Sequence, residues 1–137
     1  MSVCEVLGLD VGEKWIGVAR GSTAAKLAEP LTTIETNEAS KNLQELINNH
    51  KAAALVVGLP RNLSGDDTAQ TDWVRQWVDQ LKNRIDLPVL WQDEALTSKQ
   101  AEISKPKAKS PFDDHALAAA TILQDFLDSP AAGEVGC

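Results

Sequence analysis

Val3-Cys4-Glu5-Val6-Leu7-Gly8-Leu9-Asp10-Val11-Gly12-Glu13-Lys14-Trp15-Ile16-Gly17-Val18-Ala19 is the stretch whose reading decides the fold. Its apolar run up to Leu9 has the pattern of a buried strand, and Trp15 to Arg20 resumes that pattern after a short turn containing Gly12. Two such runs joined by a short glycine-containing turn predict a hairpin. Asp10 sits at the tip of the first strand. A carboxylate there is costly to bury unless something positive meets it, usually a metal ion or a phosphate-bound cation.

Working outward, Leu27 to Glu35 reads as a third strand at a sheet edge, because Pro30 is tolerated there and not in a central strand. The period then changes. Leu43, Leu46, Ile47 and His50 recur at helical spacing and predict an amphipathic helix from about Glu38 to His50. Ala53 to Leu59 is a continuous apolar run stopped by Pro60, the signature of a buried parallel strand. After the loop from Pro60 to Asp67 comes a long helix with Trp73, Val74, Trp77, Val78, Leu81 and Ile85 on one face; the two tryptophans read as core anchors. Pro88 to Gln92 is a further short strand, ending at Asp93-Glu94. Thr97-Ser98-Lys99-Gln100 has the form of a capping box whose helix is cut short by Lys105 to Pro111. An alanine-rich helix from about Asp114 to Leu127 follows, with Leu117, Ala120, Leu123 and Leu127 expected inward. Residues 130–137 read as a flexible C-terminal tail, leaving 1–129 as a single domain.

This order predicts an α/β fold. Three antiparallel strands lead into helix-linked parallel strands, giving a mixed five-stranded sheet flanked by helices. The 43% hydrophobic and 24% charged composition of the 137 residues is that of a folded globular chain, which argues against disorder. No apolar run is long enough to span a bilayer and no signal pattern opens the chain, so a cytoplasmic protein without membrane attachment is expected. Cys4, in a core strand, and Cys137, in the tail, are poor evidence for a disulfide. The net charge of −7 argues against a generic nucleic-acid binder, though a divalent metal supplies positive charge locally.

In such sheets ligands collect at the carboxyl ends of the parallel strands, where Asp10 and Glu94 both fall. If their strands are neighbours, the two acids are adjacent. Asp114 opens the last helix, where an aspartate is also a favoured cap.

These stretches resemble the RuvX/YqgF family, Holliday junction resolvases and 16S rRNA maturation nucleases with a ribonuclease H-like fold. Gly8-Leu9-Asp10-Val11-Gly12-Glu13-Lys14 with Ile16-Gly17-Val18-Ala19 is similar to the family's opening signature. Val57-Gly58-Leu59-Pro60 with Asn62 and Gly65 is similar to its second motif, and Asp93-Glu94 with Leu96-Thr97-Ser98 to its third. Asp114 before a helix ending Ile122-Leu123 is similar to its fourth. Two departures stand out. Ala95 occupies the place of the usual arginine, and the fourth aspartate, counted back from Ile122-Leu123, falls on His115. Asp113, Asp114 and His115 are thus all candidates.

The resemblance implies a metal-dependent endonuclease maturing the 5′ end of precursor 16S rRNA. Two divalent ions can activate water, relieve charge on the phosphoryl oxygens and stabilise the departing oxyanion. Mg²⁺ or Mn²⁺ held by Asp10, Glu94 and Asp114 is the expected arrangement, with Asp93 an alternative neighbour of Glu94 and Asp113 or His115 alternatives to Asp114. Lys14, Arg61, Asn62 and Lys99 are the candidate nucleic-acid contacts, Lys99 heading a basic-leaning run with Lys105, Lys107 and Lys109. Expected partners are precursor rRNA, branched DNA and ribosomal particles, for a monomer or weak homodimer. A competing expectation is a module of the same fold that binds nucleic acid or protein without cutting.

Overall fold

A computed structural model describes residues 4–62, 64–95 and 114–135. Strands β1 (Glu5–Val11) and β2 (Trp15–Ser22) form the expected hairpin, and β3 (Ala28–Glu35) pairs antiparallel with β2. A 3-10 turn (Thr36–Glu38) leads into helix α1 (Ala39–His50); β4 (Ala52–Arg61), α2 (Ala69–Lys82) and β5 (Val89–Ala95) follow. Helix α3 (Asp114–Leu127) and a second 3-10 turn (Pro130–Glu134) close the described chain. The sheet order is β3-β2-β1-β4-β5, with β1, β4 and β5 mutually parallel. Pro30 accordingly lies on an edge strand. The capping box at Thr97 lies outside the described residues.

Alternation along the strands divides the core in two. Leu7, Leu9 and Val11 of β1, Ile16 and Val18 of β2, and Leu55 and Val57 of β4 point to the side covered by α1 and α2. They meet Leu43, Ile47, Val74, Val78 and Leu81 there, while Trp73 and Trp77 pack on that core from its margin as anchors. The opposite face carries Val6, Ala19, Ala54 and Val56 and is covered by α3 through Ala119, Ile122, Leu123, Phe126 and Leu127.

Glycines shape this second face. A Cβ at Gly8 would sit 2.7 Å from Leu123 Cβ, one at Gly58 2.5 Å from Ile122 Cδ1, and one at Gly17 would penetrate the His115 carbonyl oxygen. Strand glycines of this kind mark a close backbone approach, and here α3 lies almost on the sheet backbone. That approach explains why Ala116, Ala119 and Ile122 are buried where Leu117 and Ala120 were expected: the small side chains face the sheet, and Leu117 and Ala120 are half-buried beside it. Gln124 pins the helix to the start of β3. Its Oε1 accepts from Ala28 N at 2.9 Å and its Nε2 donates to Lys26 O at 3.0 Å.

Further expectations are corrected. Strand β4 continues through Pro60 to Arg61, because Pro60 lies near the strand end beside the edge strand β5. Strand β5 extends to Ala95, three residues past the expected Gln92, so Glu94 is a strand residue. Beyond α3, Pro130 starts the 3-10 turn, and Ala132 is buried in the core with residues of α3. This turn returns the chain to the start of β1, leaving Cys4 Sγ 3.6 Å from Val135 O. Cys4 is disulfide-bonded, against expectation; Cys137 lies outside the described residues. Among the described residues, no helix is long and apolar enough to cross a membrane.

Candidate active site

Asp10 is paired with Gly17 across the hairpin, on the sheet face that α3 covers. Because Gly17 lacks a side chain, the first turn of α3 reaches the sheet beside Asp10, with the His115 backbone directly over Gly17. Burial pushes the Asp10 carboxyl above its ordinary value, and the His115 side chain nearby partly offsets that rise.

Glu94 reaches the same face by register. It pairs with Pro60 while Asp93 pairs with Leu59, so the two acids point to opposite sides of the sheet. Glu94 shares the side of Asp10 and α3. Asp93 instead accepts from Arg61 Nε at 3.2 Å on the side of α2. Strand β1 is not the neighbour of β5, however. Strand β4 runs between them, which separates Asp10 from Glu94 by two strand spacings, about 10 Å of backbone. Glu94 also lies about two residues further along, since Leu9 is level with Val57 and Glu94 with Pro60. Between the two acids β4 presents Gly58, over which the Ile122 side chain packs, and Pro60.

Asp114 and His115, both exposed, open α3. Of the two, His115 is the one whose charge acts on Asp10. Asp113 and Lys99 lie outside the described residues. Among the described residues, no three His, Cys, Asp or Glu side chains form a ready cation cage. The donor chemistry still suits a hard divalent ion: carboxylates from β1 and β5 share one face, and burial of Asp10 would be relieved by a bound cation.

The remaining candidates hold the surrounding loops. Arg61, half-buried, binds Asp67 Oδ1 at 2.6 Å, Gly65 O at 3.3 Å and Asp93, and Asp67 is gripped from its other oxygen by Arg75. Asn62 Oδ1 accepts from Ser64 N at 3.0 Å and Asp66 N at 2.9 Å, folding the same loop. Helix α2 begins with a capping box between Thr68 and Thr71, and the buried Thr71 hydroxyl also donates to Pro60 O. The tip of β4 is thereby fixed to the helix start. Lys14 is exposed on the β1–β2 turn, at the Asp10 end of the sheet. Sequence reasoning missed the glycine face. Its signal was present, in four glycines inside strand patterns, at Gly8, Gly17, Gly21 and Gly58.

A mixed five-stranded sheet of this order, with helices on both faces, has the ribonuclease H-like architecture. Solved structures share the fold. Thermus thermophilus RuvC in complex with a Holliday junction substrate superposes with a TM-score of 0.58 at 17% identity, covering 90% of this chain and 93% of that one. A second structure of Thermus thermophilus RuvC gives a TM-score of 0.57 at 14% identity, covering 96% and 97%. The family model described as "RuvX: Holliday junction resolvase" matches residues 4–129, and the chain belongs to that family. A relative from Roseiflexus sp. is 42% identical over 134 residues, covering 90% of this chain and 94% of its own length. One from Methylobacillus flagellatus is 41% identical over 136 residues, covering 92% of each. Both bear the name "Putative pre-16S rRNA nuclease".

Proposed function

We propose that this resolvase-family hydrolase is a divalent-metal-dependent endonuclease that cuts structured nucleic acid in the cytoplasm, with the 5′ end of precursor 16S rRNA as its substrate. The names of its relatives support the RNA substrate, and the solved complex of a RuvC with a Holliday junction supports nucleic-acid binding by this fold. The observation that carries the reading is the setting of Asp10: a half-buried carboxylate near a strand end, pushed up by the burial it has, with a helix start beside it.

Asp10 and Glu94 would hold Mg²⁺ or Mn²⁺, with Asp114 or His115 completing the set from α3 and two ions the expected number. The metal would supply an activated water and charge relief on the phosphoryl oxygens. The protein's own residues do the rest. The glycine-backed α3 keeps His115 beside Asp10, and β4 spaces Glu94 along the same face. The Arg61–Asp67 clamp holds the loop past which a phosphate backbone would run, and Lys14, with Asn62 on that loop, stands where a strand would be met. Ribosomal particles are the natural place to encounter such an RNA.

Asp10→Asn should fold and lose Mg²⁺- or Mn²⁺-dependent cleavage of an end-labelled precursor fragment; unchanged cleavage would remove Asp10 from the site. Calorimetric titration with Mn²⁺ separates the competing reading. Heat that disappears in Asp10→Asn supports the nuclease, whereas no carboxylate-dependent heat leaves a module that binds without cutting.

A further inference from the structure

We infer that Trp15 is a stacking platform for an unpaired nucleobase next to the candidate metal site, so that the substrate strand is single-stranded where it meets Asp10. The inference rests on the nuclease reading for its location and adds the substrate's local form.

Trp15 opens β2 and is 43% exposed, unusual for so large an apolar side chain. Among the described residues, the other exposed large apolar side chains lie elsewhere, Leu27 in the turn at the far end of the hairpin and Trp91 on the opposite sheet face. Alternation from Gly17 puts Trp15 on the face of Asp10, about 7 Å along the strand from Asp10's cross-strand partner. The indole therefore stands just outside the first turn of α3, within a nucleotide's reach of the Asp10 carboxylate.

Its mounting is rigid. Gly12 N donates to Trp15 O at 3.0 Å, Thr36 N donates to Lys14 O at 2.9 Å, and the Thr36 hydroxyl donates to Gly12 O at 2.8 Å. A Cβ at Gly12 would lie 2.8 Å from Trp15 O, so the turn closes only with glycine there. An exposed ring on a locked turn pays little entropy on binding. Lys14 beside it can meet the phosphate of the stacked nucleotide, but Glu13 is exposed on the same turn and Glu35 lies opposite Trp15. One lysine against two carboxylates leaves this corner without net attraction for a phosphate backbone. Affinity must then come from the ring face, and base–aromatic stacking is available only to a base freed from its duplex.

The test is fluorescence anisotropy of a short fluorescein-labelled single-stranded RNA, with EDTA present so that no cleavage occurs. Trp15→Ala should weaken binding roughly tenfold, with the salt dependence unchanged, and Trp15→Phe should recover most of the loss. Lys14→Ala should instead flatten the salt dependence by about one counterion. On the same RNA with abasic sites, wild type and Trp15→Ala should bind alike. Equal affinity of wild type and Trp15→Ala for the base-bearing RNA, or an equal loss on the abasic one, overturns the inference. If Trp15-dependent binding holds while wild type cuts nothing with Mg²⁺ or Mn²⁺, the nuclease reading fails and the stacking site stands.

Discussion

The two faces of the central sheet are built from different materials. Toward α1 and α2 the strands present Leu7, Leu9, Ile16, Val18, Leu55 and Val57, large side chains that interlock with those of two helices. Toward α3 the same strands present Gly8, Gly17, Gly21, Gly58, Ala19 and Ala54, and the helix comes down almost onto the backbone. The first face buries more apolar surface per residue and supplies most of the hydrophobic stabilisation. The second gives up side-chain volume to fix the start of α3 beside Asp10. Stability and site geometry are thus assigned to opposite sides of one sheet.

That division can be broken by substitution. Leu55→Ala, on the stabilising face, should cost about 2–5 kcal/mol in denaturant unfolding, while cleavage per folded molecule stays near wild type. Gly17→Ala should cost about 3 kcal/mol, because the new methyl meets the unyielding His115 backbone, and cleavage by the folded fraction should be lost. If Gly17→Ala cut normally, the placement of α3 would not matter to the site. Thr71→Val, which removes the buried donor to Pro60 O and half of the α2 capping box, should cost about 1–2 kcal/mol by thermal unfolding.

Asp10→Asn gives the smallest effect on stability and the most telling sign. Burial raises the folded carboxyl above its unfolded value of 3.8, so its stabilising protonated form is complete below that value and lost as pH rises through the folded one. Metal-free Asp10→Asn should therefore be more stable than wild type at pH 7, with the gap closing in acid. A stability profile without that convergence would contradict the buried setting of Asp10.

Much of this was legible in the sequence because period and turn chemistry are local. The hairpin at Gly12, the edge strand marked by Pro30, the parallel run into β4 and the amphipathic α1 follow from residues within a few positions of one another. Asp10 and Glu94 could be placed at strand ends for the same reason. What could not be read depended on pairing between distant segments. Which strand lies between β1 and β5 is set by crossover packing, so the two acids were expected closer than they are. The pairing of Arg61 with Asp93 was equally hidden, because it joins two strands far apart in the chain. The inward side of α3 was misjudged because apolar bulk was taken as the guide, whereas the glycine-lined sheet selects Ala116 and Ala119.

The return of the chain by way of Ala132 and Val135 to Cys4 has an engineering consequence. With Cys4 and Val135 in contact, a brief peptide bridge between those two positions could close a ring, and the ring could be reopened at the exposed bend around Ala24 and Ala25. Such a permuted molecule would carry its new ends at a site well away from the Asp10 tip, which leaves that flank free for attaching a reporter.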